Sequence, residues 1–192
     1  AAAVLRDAEQ HATLAAAIAD CELVVGTTSL GHRELRHPLR PLEAGARLLR
    51  AGARSAPVAL LFGSEKFGLS NEDLSYCHWL IRIASADPGR SMNLGQAVAV
   101  CLYELTRDSR RAVARGRKRP ARSAELEQIT ALLLETLESS GYLNPRTAAS
   151  TRAKVRRLVR RLAIGAADAP VLMGMLRQIL WKLGEWAADQ RR

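Results

Sequence analysis

Apolar residues fall into two spacings along this chain. Three short continuous runs, Leu23 to Val25, Val58 to Phe62 and Leu80 to Ile83, are bounded by glycine or polar clusters and read as buried strands. Between and after them the spacing is helical. Thr13 to Cys21 predicts a short helix, and Pro41 opens another that runs to about Leu49 and stops at Gly52. Ser70-Asn-Glu-Asp73 has the form of a capping box and starts a short helix to about Cys77. A longer helix, Asn93 to Asp108, places Leu94, Val98, Cys101, Leu102 and Leu105 on one face. The polar, proline-punctuated stretches SLGHRELRHPLRP and ASADPGRS read as loops. Strands alternating with helices predict an α/β fold with a mainly parallel sheet. Three strands are few for such a sheet, so part of the domain is expected to lie outside the stretch read.

The pattern breaks at Arg110. RRAVARGRKRPARS carries seven basic residues, a glycine and a proline, and reads as a linker. Three amphipathic helices follow. Ala124 to Ser139 turns Leu126, Ile129, Leu133 and Leu137 inward and stops at Gly141. Ala149 to Leu162 has an apolar face of Val155, Leu158, Val159 and Leu162, and Gly165 closes it. Ala169 to Ala188 buries Leu172, Met175, Leu176, Ile179, Leu183 and Trp186. The predicted organisation is an α/β domain over 1–109, a basic linker over 110–123 and a C-terminal α-helical extension over 124–192.

Charge sharpens that division. Residues 1–109 carry 11 basic and 12 acidic groups, and residues 110–192 carry 18 and 7, so the C-terminal part holds all of the +10 excess. Such asymmetry points to a polyanion partner for the helices. Aromatics are only 4% of the chain, so phosphate attraction outweighs base stacking as its source. Arg152, Arg156 and Arg160, at i, i+4 and i+8 and joined by Arg157, form the expected phosphate-facing stripe. No apolar run approaches the roughly 18 residues needed to span a bilayer, and a cytoplasmic protein is expected. The three cysteines form no CxxC pair, and the four histidines show no ligand spacing, so no metal site is expected. The adjacent Cys77 and His78 read as packing residues rather than a nucleophile and its base.

The candidate chemistry lies in two motifs. Gly63-Ser-Glu-Lys-Phe-Gly68-Leu69 follows a buried strand and precedes a capped helix, the position at which open α/β sheets bind ligands. It is neither a GxGxxG nor a Walker A loop. Ser91-Met-Asn-Leu-Gly-Gln-Ala-Val then opens the long helix, followed by Tyr103-Glu104. This pair of motifs, in this order, resembles the SpoU/TrmH group of the SPOUT RNA ribose methyltransferases. Val24-Val-Gly-Thr-Thr, FGSEKFGLSNEDLSYCH and the C-terminal KVRRLVRRL make it most similar to the TrmJ branch, which methylates a ribose 2′-hydroxyl in the tRNA anticodon loop.

The resemblance implies a trefoil-knotted sheet, a homodimer and S-adenosyl-L-methionine as methyl donor. Carried onto this sequence, it implies that Thr27, Thr28, Ser29, Gly63, Ile83, Arg90, Ser91 and Met92 line the donor site. It implies that Glu65 braces the first motif and that Asn93 ties the second to it. Ser91 is the candidate catalytic residue, a role compatible with capping the helix that follows. The implied partner is tRNA, with ribosomal RNA as the alternative. There are departures: Ala84-Ser85 stands where the family usually has proline, and Arg90 where the branch often has a small residue. The family's first motif, N-x-G-x-x-R, does not occur here. Two expectations follow from that: a sequence that starts part-way through a longer enzyme, which the intact later motifs favour, or a non-catalytic RNA-binding relative. In either case the polypeptide alone is expected to be weakly active or inactive.

Overall fold

The computed structural model describes residues 6–28, 37–84, 92–107, 119–143 and 148–189. Four strands, β1 (Leu23–Thr28), β2 (Leu39–Pro41), β3 (Val58–Leu61) and β4 (Trp79–Arg82), form one sheet in the order β2-β4-β1-β3. Every neighbouring pair is parallel. The α/β reading with a parallel sheet is therefore correct. The fourth strand, β2, lies in a segment expected to be loop. It is short and sits at the sheet edge, where proline is tolerated. Pro41 ends it and stands immediately ahead of the next helix, not within its first turn.

Four helices accompany the sheet: α1 (Leu14–Ala17), α2 (Leu42–Ala53), α3 (Asn71–Ser75) and α4 (Leu94–Arg107). Side chains alternate across the strands, so β1, β3 and β4 each feed two cores. Val24 and Leu80 join Ile18, Leu69, Leu74, Tyr76 and Cys77 on one face. Val25, Trp79 and Ile81 join Leu42, Leu49 and Cys101 on the other. Gly45 allows α2 to lie close on the sheet, since a Cβ there would come within 2.8 Å of Ile81 Cγ1. Helix α4 meets the core through Cys101 and Leu105, as expected, whereas Leu94 and Leu102 of the expected face are exposed and Glu104 is buried. Glu104 has polar partners there. Arg50 Nη1 donates to the Glu104 carbonyl, and Arg107 Nη2 donates to the Glu104 carboxylate at 3.0 Å.

The C-terminal helices are α5 (Ser123–Ser139), α6 (Ala148–Arg161) and α7 (Asp168–Asp189). Leu126, Ile129, Val159, Ala169, Met173 and Leu176 form their shared core. Gly141, at φ +75°, ends α5: its N–H donates to Glu138 O and that of Tyr142 to Leu137 O, which satisfies two of the last carbonyls. The expected inward faces of α6 and α7 need correction. Leu158 and Leu162 are exposed, as are Met175, Ile179 and Trp186. Helix α6 turns inward on Val155, Arg156, Val159 and Arg160 instead.

A short stretch before α5 is stitched on two sides. Ser123 N–H donates to Cys21 O at 2.9 Å and Ala124 N–H to Ala19 O at 3.0 Å. Arg119 Nε pairs with the buried Glu22 at 2.6 Å. On its other side, Pro120 bridges Gly165, and Ala166 N–H donates to Arg119 O. Gly165 thus belongs to this stitch rather than to the end of α6. Among the described residues, no helix is long and apolar enough to cross a membrane.

Candidate active site

Because β4, β1 and β3 are adjacent and parallel, their carboxyl ends meet at one edge of the sheet. Thr27 and Thr28 end β1, Phe62-Gly63 follow β3, and Ile83 follows β4. The sheet therefore brings together residues far apart in sequence, at the edge where open α/β folds hold ligands. Thr27 Oγ1 donates to Leu61 O at 2.9 Å, fastening the end of β1 to that of β3. Its one hydroxyl proton is committed to the scaffold.

The Gly63 loop is closed on itself. Gly68 N–H donates to Ser64 O at 2.8 Å and Phe67 N–H to Ser64 Oγ at 3.2 Å. A Cβ on Gly63 would lie 1.9 Å from the Gly68 carbonyl carbon, so no other residue fits there. Gly68 has φ +68°, a conformation suited to glycine. The loop then passes into α3 through a reciprocal cap: Ser70 Oγ accepts from Asp73 N–H at 3.0 Å, and Asp73 Oδ2 accepts from Ser70 N–H at 2.8 Å.

Asn93 joins this loop to α4. Its Nδ2 donates to Glu65 Oε1 at 2.7 Å, while its Oδ1 accepts from Gly95 N–H at 2.9 Å and Gln96 N–H at 3.4 Å. Those last two bonds make Asn93 the N-cap of α4. The capping role considered for Ser91 therefore falls to Asn93. Met92, half-buried, precedes it. Ser29, Arg90 and Ser91 lie outside the described residues. Thr27, Thr28, Gly63, Glu65, Ile83, Met92 and Asn93 lie at the strand ends and in the two joined loops.

Behind the site, Cys77 and His78 turn the chain into β4. Cys77 is fully buried and its thiol is pushed up to about 12. Burial, reinforced by Arg160, holds His78 down to about 4. Val24 N–H donates to His78 Nδ1 at 3.1 Å, as a neutral ring permits. A thiol so protonated and a ring so committed are packing residues. Among the described residues, no group of three or more potential ligands could hold a metal.

The arginine stripe divides. Arg152 is exposed and Arg157 half-buried, but Arg156 and Arg160 are only 7% and 2% exposed. Both turn to Glu127 of α5: Arg156 Nε donates to Oε2 and Arg160 Nη2 to Oε1, each at 3.0 Å. Arg156 also donates to Ser75 Oγ at 3.1 Å, and Arg160 to Ser123 Oγ at 3.0 Å. The expectation that these two face RNA phosphates is thus corrected, because both side chains are buried and turned to Glu127, Ser75 and Ser123 inside the protein. Glu127, Ser75 and Tyr76 were not singled out from sequence. Nothing in their spacing marks them as guanidinium partners.

Fold and site together define a class. The chain belongs to the SpoU rRNA Methylase family, whose model matches residues 1–103. It is 36% identical over 188 residues to the tRNA (cytidine/uridine-2′-O-)-methyltransferase TrmJ of Klebsiella pneumoniae, covering 92% of this chain and 75% of that relative. It is 37% identical to the TrmJ of Yersinia pestis strain Pestoides F, over 87% of this chain and 67% of the relative. The crystal structure of TrmJ from Z. mobilis ZM4 superposes with a TM-score of 0.79 at 28% identity, covering 92% of this chain and 75% of that one. A methylase family protein from Neisseria gonorrhoeae superposes at 0.60 with 34% identity, over 68% and 60% of the two chains.

Proposed function

We propose that this protein transfers a methyl group from S-adenosyl-L-methionine to a ribose 2′-hydroxyl of tRNA, in the anticodon loop. The observation that carries the reading is the Asn93–Glu65 hydrogen bond, which joins the two family motifs at the carboxyl ends of three adjacent parallel strands. The residues at that edge suit the donor. Thr27, Thr28, Gly63, Ile83 and Met92 offer backbone groups, hydroxyl oxygens and apolar surface, as an adenine ring and a sulfonium with its aliphatic arms require. Bound there, S-adenosyl-L-methionine would supply an electrophilic methyl on a sulfonium that departs as a neutral thioether, chemistry that calls for no metal.

The chain's own part is placement and proton handling. In this reading Thr28, Gly63, Ile83 and Met92 hold the donor with Ser29, Arg90 and Ser91, while Thr27 braces the strand ends. Ser91 keeps its role as the candidate catalytic residue. Glu65 and Asn93 keep the two loops in register, and the knotted threading of the final helix of residues 1–109 belongs to the same reading. Residues 124–192 hold the RNA, with Arg152, Arg157 and the linker arginines on phosphates. Exposed Leu102 and Tyr103 of α4 support a homodimer, tested by light scattering on the eluting protein. The cytoplasm is the compartment that fits a tRNA substrate.

Relatives that align through the C-terminal helices are tRNA enzymes by name, whereas the family description names rRNA. Transfer of labelled methyl to tRNA transcripts and to ribosomal RNA fragments tests the choice. Whatever label is transferred is expected to be confined to a ribose in the tRNA anticodon loop. Label on ribosomal RNA alone would replace tRNA as the substrate.

A further inference from the structure

We infer that Arg156 is a positioning residue for methyl transfer: it pins the C-terminal helices to the segment that joins the two loops of the donor site. The inference rests on the function proposed above and assigns within it a role to a residue outside the pocket.

Arg156 makes contacts on two sides. Toward the sheet, its Nη1 donates to Ser75 Oγ at 3.1 Å, and its guanidinium lies 4.0 Å over the Tyr76 ring centroid. Toward the helices, its Nε donates to Glu127 Oε2 at 3.0 Å. Arg160 holds the other oxygen of that carboxylate, which fixes how Glu127 aims at Arg156. The cluster places two guanidinium groups against one carboxylate, so a surplus positive charge is buried. The face of the Tyr76 ring and the serine hydroxyls take it up.

Such a cluster is a poor way to gain stability, since buried ion networks are often no better than apolar packing. What it supplies is direction. A planar guanidinium that stacks on a ring and forks to two acceptors permits one geometry, whereas aliphatic side chains tolerate several.

The place of the pin gives that direction a use. Ser75 ends α3, which begins right after the Gly63 loop, and Tyr76 leads through Cys77 and His78 into β4 and Ile83. The pin therefore grips the middle of the chain segment that connects two walls of the donor site. On the same helix, one turn earlier, Arg152 is exposed toward solvent. Helix α6 thus presents a phosphate-seeking arginine outward and a fastening arginine inward. RNA held by the first is set against the methyl donor by the second. A displacement of about 1 Å at a reacting centre can cost about 100-fold in rate.

The test compares Arg156→Lys, which keeps the charge but loses the planar fork, with Arg156→Met, which keeps the stem, and with Ser75→Ala, a mild change at the same contact. Single-turnover transfer of labelled methyl to tRNA is measured at saturating RNA and donor, beside the Kd for each and the thermal midpoint. We expect both Arg156 variants to lose ten- to hundred-fold in saturating rate, with both Kd values within about threefold of the unaltered protein and Ser75→Ala falling between. Arg152→Glu should weaken the tRNA Kd more than either Arg156 variant does. An unchanged rate in Arg156→Met would overturn the inference. So would a rate loss matched by lost tRNA affinity, or one that follows the thermal midpoint across the three variants. Should the unaltered protein transfer no methyl to tRNA, the outcome expected of a polypeptide without the first motif, the pin is tested apart from the reaction. The pin is then read from spin labels at Arg47→Cys and Arg177→Cys in a Cys21→Ser background. A distance distribution that broadens in Arg156→Met supports it, and one that stays narrow removes it.

Discussion

Asn93 offers a separable test of the site, because its two side-chain atoms do different work. The amide oxygen caps α4 and the amide nitrogen reaches Glu65 at 2.7 Å. Asn93→Ser keeps a capping oxygen but cannot span to Glu65. Asn93→Ala loses both functions, and Asn93→Asp keeps the cap but sets a carboxylate against Glu65. A cap is worth about 1 kcal/mol, and a hydrogen bond between exposed partners about 1 kcal/mol or less. Asn93→Ser should therefore leave the thermal midpoint nearly unchanged while donor affinity falls up to about fivefold. Asn93→Ala should show that affinity loss together with a drop of about 2–4 °C in midpoint. Asn93→Asp should bind donor worst, because two carboxylates would then face each other across the joined loops. Calorimetric titration with S-adenosyl-L-methionine and scanning calorimetry read the two functions separately. If Asn93→Ser and Asn93→Asp both bound donor like the unaltered protein, the bond to Glu65 would have no part in holding the loops together, and the argument would fail.

Gly63→Ala should abolish donor binding with the sheet still folded, because its Cβ would strike backbone at 1.9 Å; binding retained in calorimetry would contradict the loop geometry. His78 titrates near 4 in the folded state against 6.5 unfolded, so above pH 6.5 it is neutral in both states and carries no penalty. As pH falls from 6.5 to 4 only the unfolded chain takes the proton, and stability should drop by about 3 kcal/mol across that window. Urea melts at pH 7.5, 5.5 and 4.5 should show that slope, and His78→Gln should flatten it; equal slopes would dismiss the account. Cys77 and Cys101, fully buried with thiols pushed up to about 12 and about 11, should resist a thiol reagent at pH 8 until the protein unfolds, leaving Cys21 as the reactive one. Rapid native modification of Cys77 would show that its burial is not maintained. Arg152→Glu should weaken tRNA binding and lower its salt dependence by about one counterion, read by filter binding across a salt series.

Much of this was legible in the chain. Continuous apolar runs mark β1, β3 and β4, because a strand covered on both faces must be apolar throughout. The Ser70–Asp73 cap was readable because both of its bonds span three residues. The Gly63 and Asn93 motifs were readable through their resemblance to a family. What stayed hidden depends on tertiary partners. β2 has three residues and a proline, and only pairing with β4 makes it a strand. The inward turn of Arg156 and Arg160 depends on Glu127, 29 residues from the first and 33 from the second. The helical period gave their shared side, but not which side faced the core. Likewise Met175, Ile179 and Trp186 fit an apolar stripe by spacing, yet the core of the C-terminal helices is reached through Ala169, Met173 and Leu176.

The stitch before α5 has a consequence for the order of assembly. Arg119 and Glu22 are 97 residues apart, and the backbone bonds from Ser123 and Ala124 close similarly long loops onto the end of α1. The core shared by α5, α6 and α7 is built from nearer neighbours and can form sooner, since nearby contacts cost less chain entropy to close. Refolding should then show a fast phase in which the three helices gain structure and a slower one in which they settle on the finished sheet. Deleting the Glu22 carboxylate should affect mainly the second. Until that docking step, the arginines proposed to hold RNA and the proposed methyl-donor site would exist as separate parts with no fixed distance between them.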